Sequence, residues 1–250
     1  MVMSEMAGSP PIPSVLVTGA SRGLGLEFAR QYAADGWRVH AAARRPLEAL
    51  ELQRLAAASG GRLAVHALEV CDHAQVDALA RSLAGSPIDV LINCAGIMGR
   101  ETFATGGMAM QRFGSTDFEE WIDTLRTNLL APMKIAEAFV EHVAASEQKK
   151  IVTLTSILGS MARNQIGGLY AYRSSKAGVN AMMKSMAIDL RRRGIIAVPM
   201  HPGWVRTDLG GPRAELDCEA SVTGMRRVIA ALTPAQSGSF LQWDGGELPW

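Results

Sequence analysis

Asp89-Val90-Leu91-Ile92 and Ile195-Ile196-Ala197-Val198 run apolar through successive positions, with little alternation between the two faces of a strand. Strands that bury both faces belong in a parallel sheet covered by helices on each side. Outward from these runs, short β-rich stretches at 15–17, 37–43, 62–69, 88–93, 150–156, 195–200 and 239–243 alternate with helical patterns at 23–35, 46–58, 73–84, 117–145, 171–193 and 219–232. The rhythm predicts seven strands and six helices. Because crossovers between parallel strands are right-handed, successive βαβ units build one doubly wound α/β sheet. Residues 1–13 lack periodicity, and Pro10, Pro11 and Pro13 deny the backbone both helix and ladder bonds, so a disordered tail is expected before one domain over 14–250.

The 250 residues are 48% hydrophobic and 20% charged, ordinary values for a chain that folds unaided. Lys and Arg number 25 against 24 acids, a net charge of +1, which offers no field to gather nucleic acid or an anionic membrane. The expected partner is a small molecule. Cys71, Cys94 and Cys218 are odd in number and widely spaced, and the five histidines are scattered, so no metal site or disulfide framework is predicted and a reducing cytoplasm is expected. No signal peptide or membrane span is read from the sequence.

After the first strand comes Thr18-Gly19-Ala20-Ser21-Arg22-Gly23-Leu24-Gly25, opening into a helical pattern. Glycines in such a strand-to-helix turn let backbone N–H groups and the helix N-terminus approach a pyrophosphate. The placement points to dinucleotide binding.

Tyr172 and Lys176 stand four apart at the start of a helix, so their side chains share one face and can converge on one substrate atom. With three tyrosines and five lysines in the chain, random placement gives roughly 0.06 such pairs. Tyr170, four residues before Ser174, has no lysine partner in that geometry and is read as pocket wall. A phenol is a poor base at its ordinary pKa of about 10, and lowering that by about three units takes about 4 kcal/mol. Lys176, together with the positive ring of an oxidised nicotinamide, is expected to supply it. Ser156, ending the fifth strand, is placed to hydrogen-bond a carbonyl oxygen that gains negative charge. Asn128 is an amide inside an otherwise well-formed helical pattern.

The spacing T-G-x3-G-x-G resembles the short-chain dehydrogenase/reductase family. So do Asn93-Cys94-Ala95-Gly96 after the fourth strand, Pro202-Gly203 after the sixth and the set Asn128, Ser156, Tyr172 and Lys176. Cys94 departs from the family's second Asn, and Glu69-Val70 stands where members carry Asp-Val beside the adenine. More narrowly, Gly23 to Phe28, His201 to Asp208 and the final Leu248-Pro249-Trp250 resemble the C-factor and sniffer-like carbonyl reductase branch. The resemblance implies a single-domain Rossmann fold with strand order 3-2-1-4-5-6-7. It also implies cofactor contacts from Thr18, Gly19, Ser21, Arg22, Gly23, Leu24, Gly25, Arg44, Glu69, Val70, Asn93, Ala95, Gly96, Tyr172, Lys176, Pro202, Gly203, Trp204, Val205 and Thr207. By the same resemblance, Asn128 sits on a kinked helix and holds a water that links Lys176 to solvent.

NAD enzymes place a carboxylate at the end of the second strand, on the ribose 2′-hydroxyl. Here Val39-His40-Ala41-Ala42-Ala43-Arg44-Arg45 offers no acid, and Arg44 and Arg22 can grip a 2′-phosphate instead, so the expected cofactor is NADP(H). The expected reaction interconverts a ketone or aldehyde with an alcohol. Substrate walls are predicted in the loops beyond the strands: Met98, Phe103, Met108, Met110 and Phe113 with Gly106-Gly107 as a joint; Leu158, Met161, Ile166, Leu169 and Tyr170; Trp204 and Leu209. Their apolar character favours a hydrophobic carbonyl compound. A non-catalytic dinucleotide-binding sensor of the same fold is the alternative, and a methyltransferase would leave Tyr172 and Lys176 accidental. The resemblance further implies a homodimer or homotetramer through the helices at 117–145 and 171–193, with Met182, Met183 and Met186 expected on an outer face.

Overall fold

The computed structural model describes residues 11–105 and 112–250. Gly106, Gly107, Met108 and Met110 of the predicted pocket loop, and most of the predicted tail, lie outside the described residues. Of the tail, Pro13 is tied to the sheet, its carbonyl accepting from Arg38 N at 2.9 Å.

Seven strands, β1 (Ser14–Thr18), β2 (Arg38–Ala43), β3 (Leu63–Ala67), β4 (Val90–Asn93), β5 (Lys150–Leu154), β6 (Ile196–His201) and β7 (Leu241–Gln242), form one parallel sheet in the order 3-2-1-4-5-6-7. The apolar runs that predict it are β4 and β6, buried at every position. Helices α1 (Gly23–Ala34), α2 (Leu50–Ala58) and α7 (Cys218–Ala231) cover one face, with Phe28, Leu52 and Met225 in the core. Helices α3 (His73–Ser82), α5 (Ala131–Ala144) and α6 (Tyr170–Asp189) cover the other, with Val76, Phe139 and Met183. Burying a large apolar side chain of this kind contributes about 1.5–3 kcal/mol.

Asp89, inside the predicted fourth strand, instead stands just before it as a buried carboxylate. It accepts from Ser14 N at 2.8 Å and from Glu147 N and Gln148 N, each at 3.2 Å, which joins the amino ends of three strands. The carboxyl ends therefore share the opposite edge. Winding reverses there between β1 and β4, which is where such sheets open a ligand crevice.

Two expectations about the helices change. The pattern at 117–145 is α4 (Phe118–Leu125), a π-helical turn (Arg126–Leu130) and α5 in succession. Pro132 has no N–H to give the carbonyl of Asn128 four residues back, which favours a wider turn at that point. Met183 and Met186 are buried against the sheet rather than outward-facing, and Met182 is half-buried. Burial of this face leaves them no outer surface, and their one-helix spacing reads the same for either role.

Candidate active site

β1 leads into the glycine turn, and two of its glycines are required by contact. A Cβ on Gly25 would stand 2.2 Å from the Gly19 carbonyl oxygen, and one on Gly19, itself at φ +68°, would stand 2.8 Å from Ala95 Cα. The Thr18 hydroxyl accepts from Cys94 N at 3.1 Å and Ala95 N at 3.3 Å, fastening the end of β1 to the segment after β4. At the mouth of α1, Arg22 is extended and provides no side-chain cap, and no acid occupies the first turn. A helix start of this kind favours an anion, so the turn fits the pyrophosphate of a dinucleotide on its own geometry. Ser21 is half-buried in the same turn.

Arg22 and Arg44 are exposed at the rim. Each meets a carboxylate that the sequence reading does not assign to it: Arg22 with Asp208 at 3.0 Å, Arg44 with Glu69 at 3.5 Å. Ion pairs this exposed contribute little, so both guanidinium groups can be recruited by a phosphate at small cost. Val70, next to Glu69 in sequence, is buried, and Asn93 donates to the Thr153 hydroxyl at 3.2 Å while its own amide oxygen is buried without a protein partner.

Beyond the strand ends lies a cavity of about 410 Å³. Leu24, Gly96, Ser156, Tyr172, Lys176, Pro202, Gly203, Val205 and Thr207 line it, together with Met98, Phe103, Leu158, Trp204 and Leu209 of the predicted substrate wall. Phe103 and Trp204 meet edge to face with centroids 6.4 Å apart. Ile166 and Leu169 also contribute, and Leu169 is held at φ +53° immediately before α6. Cys94, Ile97, Leu154, Thr155, Ile157, His201 and Gly210 complete the lining. Of these, His201 enters the sequence reading as a scattered histidine and as the start of the His201–Asp208 run, with no place in the cavity assigned to it.

Three predicted wall residues lie elsewhere. Tyr170 lines a separate recess of about 210 Å³ with Arg100, Asp117 and Glu120, because residues two apart on a helix diverge by about 200° and Tyr172 takes the cavity side. Met161 is 75% exposed and does not line the cavity, its loop turning it outward. Phe113 is likewise on the surface at 92% exposure.

The predicted reaction group is assembled on buried supports. Lys176 Nζ donates to the Leu154 carbonyl at 2.9 Å and lies 5.7 Å from the centroid of the Tyr172 ring. Asn128, in the π-helical turn, is buried. Its Oδ1 accepts from Ile97 N at 2.8 Å, and its Nδ2 donates to Ile97 O at 2.8 Å and to the Ser175 hydroxyl at 3.0 Å. Ser156 Oγ accepts from Leu158 N at 3.1 Å, where β5 has already ended. Pro132 is the local sequence signal for the break that the family resemblance implies at Asn128.

Burial pushes the Tyr172 phenol up to about 12, against a lowering from its hydrogen bond with Ser156. Burial also brings the Lys176 ammonium down to about 8, with the Cys94 thiol opposing. The sequence reading expects a lowered phenol. The protein's own groups do the reverse, because burial of the phenol outweighs its hydrogen bond with Ser156.

The short chain dehydrogenase family model matches residues 13–216. The chain belongs to the short chain dehydrogenase family. This short chain dehydrogenase is 40% identical over 173 residues to the C-signal of Myxococcus xanthus, an alignment that covers 69% of this chain and 99% of that one. The carbonyl reductase Sniffer of D. melanogaster superposes with a TM-score of 0.87 at 30% identity, over 96% of this chain and 100% of the other. The NADPH-bound carbonyl reductase from chicken fatty liver superposes with a TM-score of 0.86 at 32% identity, over 97% and 96%. Among the described residues, no helix of this dehydrogenase is long and apolar enough to cross a membrane, and no cluster of three potential metal ligands occurs.

Proposed function

We propose that the protein is an NADP(H)-dependent reductase of apolar ketones and aldehydes, with Tyr172 as proton donor. One observation carries the reading: Tyr172, Ser156 and Lys176 share one largely apolar cavity, with Lys176 held on Leu154 O. The glycine turn and the Arg22 and Arg44 guanidinium groups fit the phosphates of NADP(H), and the likeness to an NADPH-bound carbonyl reductase supports that choice. When bound, the cofactor supplies the hydride.

The chain's own residues do the rest. Ser156 donates a hydrogen bond to the substrate oxygen, and Tyr172, neutral at physiological pH, gives that oxygen its proton. Lys176, protonated below about pH 8, sets a positive charge beside the phenol as its proton leaves. Asn128 acts one step back, bracing Ile97 of the cavity wall and Ser175, the neighbour of Lys176.

Likeness to the C-signal favours a second reading, a dinucleotide-binding signalling protein without turnover. Incubation with NADPH and a panel of aromatic and aliphatic aldehydes and ketones separates the two. Sustained NADPH consumption supports the reductase; tight NADPH binding without consumption across the panel supports the signalling protein. Pairing into a dimer or tetramer is also part of the reading, supported by exposed Ile122 on α4, Leu130 in the π-helical turn, Met133 on α5 and Ile188 on α6. Light scattering reads the mass, and a monomer at all concentrations contradicts it.

A further inference from the structure

His201 is the last residue of β6 and is 8% exposed, yet its Nδ1 is buried without a hydrogen-bond partner in the protein. It lines the same cavity as Ser156 and Tyr172. Buried polar atoms nearly always have partners, so an imidazole that lines a ligand cavity with a ring nitrogen still unpaired marks a place where a ligand atom belongs.

The other polar side chains of the lining, outside the reaction group, are committed. The Thr155 hydroxyl bonds Asn180 and the Lys176 carbonyl, the Thr207 hydroxyl bridges Val205 O and Gly210 N, and the Trp204 indole donates to Gly210 O. Cys94 offers only a half-buried thiol, a weak donor and acceptor.

Position and charge narrow the partner. Leu154 pairs with Met200 and Thr155 N donates to Met200 O, so Thr155 and Ser156, just past β5, run beside His201 at the end of β6, roughly one strand spacing of about 5 Å away. Burial, with Arg163 adding to it and Asp244 opposing, holds the imidazole near 4 and hence neutral, with one donor and one acceptor. Such a group offers hydrogen bonds without a charge to neutralise a carboxylate.

We propose that His201 is a specificity-determining residue that hydrogen-bonds a second, uncharged oxygen of the substrate, so that the cavity selects apolar carbonyl compounds bearing a keto or hydroxyl group beside the reacting carbonyl. The proposal rests on the carbonyl-reducing reading above and adds the substrate class.

The test compares 1-phenyl-1,2-propanedione with propiophenone, which lacks the second oxygen. In His201→Leu, kcat/KM for the dione falls about tenfold or more while that for propiophenone stays within about twofold; His201→Gln recovers part of the preference. His201→Phe replaces the leucine variant if that one does not fold. An equal loss for both ketones, or an unchanged ratio, overturns the proposal. The two ketones are also titrated calorimetrically into wild type and variants with NADP+ present. If wild type consumes no NADPH with either ketone, the reductase reading fails, and the ratio of Kd values still decides on His201. A dione preference that vanishes in His201→Leu supports the role, whereas equal ratios, or no binding of either ketone, overturn it.

Discussion

The Lys176 ammonium donates to the backbone carbonyl of Leu154 at 2.9 Å, which pins the amine to the end of the central strand β5 beside the Tyr172 ring. A long flexible side chain gains a fixed position from that bond, and burial sets its charge within reach of ordinary pH.

Lys176 is held near 8, so its charge is present below that pH and is lost as pH rises through it. With Tyr172 protonated throughout this range, kcat/KM for NADPH-driven reduction is predicted to fall about tenfold per unit above pH 8. A pH series from 6 to 10 checks it. A profile flat to pH 10 would show that the ammonium does not assist the proton donor.

Asn128→Ala removes both bonds to Ile97 and the one to Ser175. Leaving buried partners unpaired is predicted to cost about 2–3 kcal/mol in denaturant unfolding and to lower kcat at least tenfold. Pro132→Ala restores a donor for the Asn128 carbonyl and is predicted to keep stability within about 1 kcal/mol while lowering kcat, because the π-helical turn no longer has a reason to hold its register.

At the glycine turn, Gly25→Ala puts a methyl group against the Gly19 carbonyl, whereas a Cβ on Gly36 meets nothing within 4 Å. The first is predicted to weaken NADPH binding about tenfold or more. Gly36→Ala, at φ +81°, costs only backbone strain of about 1 kcal/mol and leaves the Kd unchanged. Cofactor titration of the two variants tests the contrast.

Arg22→Ala and Arg44→Ala are predicted to raise the Kd for NADPH about tenfold each and to leave that for NADH nearly unchanged, since only the former carries a 2′-phosphate. Parallel fluorescence titrations with both cofactors give the ratio. Equal losses would assign these arginines elsewhere.

His40 and His201 are both lowered to about 4: His40 by burial, then by the charges of His66, Arg38 and His142, and His201 by burial and Arg163 against Asp244. The unfolded chain takes up protons near 6.5 that the folded one refuses until about 4. Their contribution to stability is therefore complete above pH 6.5 and is lost as pH falls toward 4, by up to about 3 kcal/mol for each group. Urea unfolding at pH 7.5 and pH 5 is predicted to show lower stability at pH 5, and replacing His40 by Gln to shrink the difference.

The sheet was legible because buried parallel strands carry their signature in consecutive residues: Val90 to Ile92 needs no partner to be recognised. Tyr172 and Lys176 were legible for a similar reason, one helical turn being a local spacing. What escaped depends on tertiary contact. Met183 and Met186 look alike in sequence whether a helix turns them to the sheet or to solvent. Tyr170 was misplaced although two residues of helix already separate it from Tyr172 by more than half a turn. The raised phenol of Tyr172 reflects desolvation by the whole cavity, which no spacing reports. His201 carries no periodicity, and only its unpaired nitrogen in the folded cavity distinguishes it from an ordinary buried histidine.

The central claim, that the Tyr172 hydroxyl delivers the proton, is tested most directly by single-turnover reduction of 4-nitrobenzaldehyde by NADPH, comparing wild type with Tyr172→Phe. The account predicts that the phenylalanine variant binds NADPH within about threefold of wild type while its rate of NADPH oxidation falls by at least about a thousandfold. A variant that binds the cofactor and turns over within tenfold of wild type would contradict it.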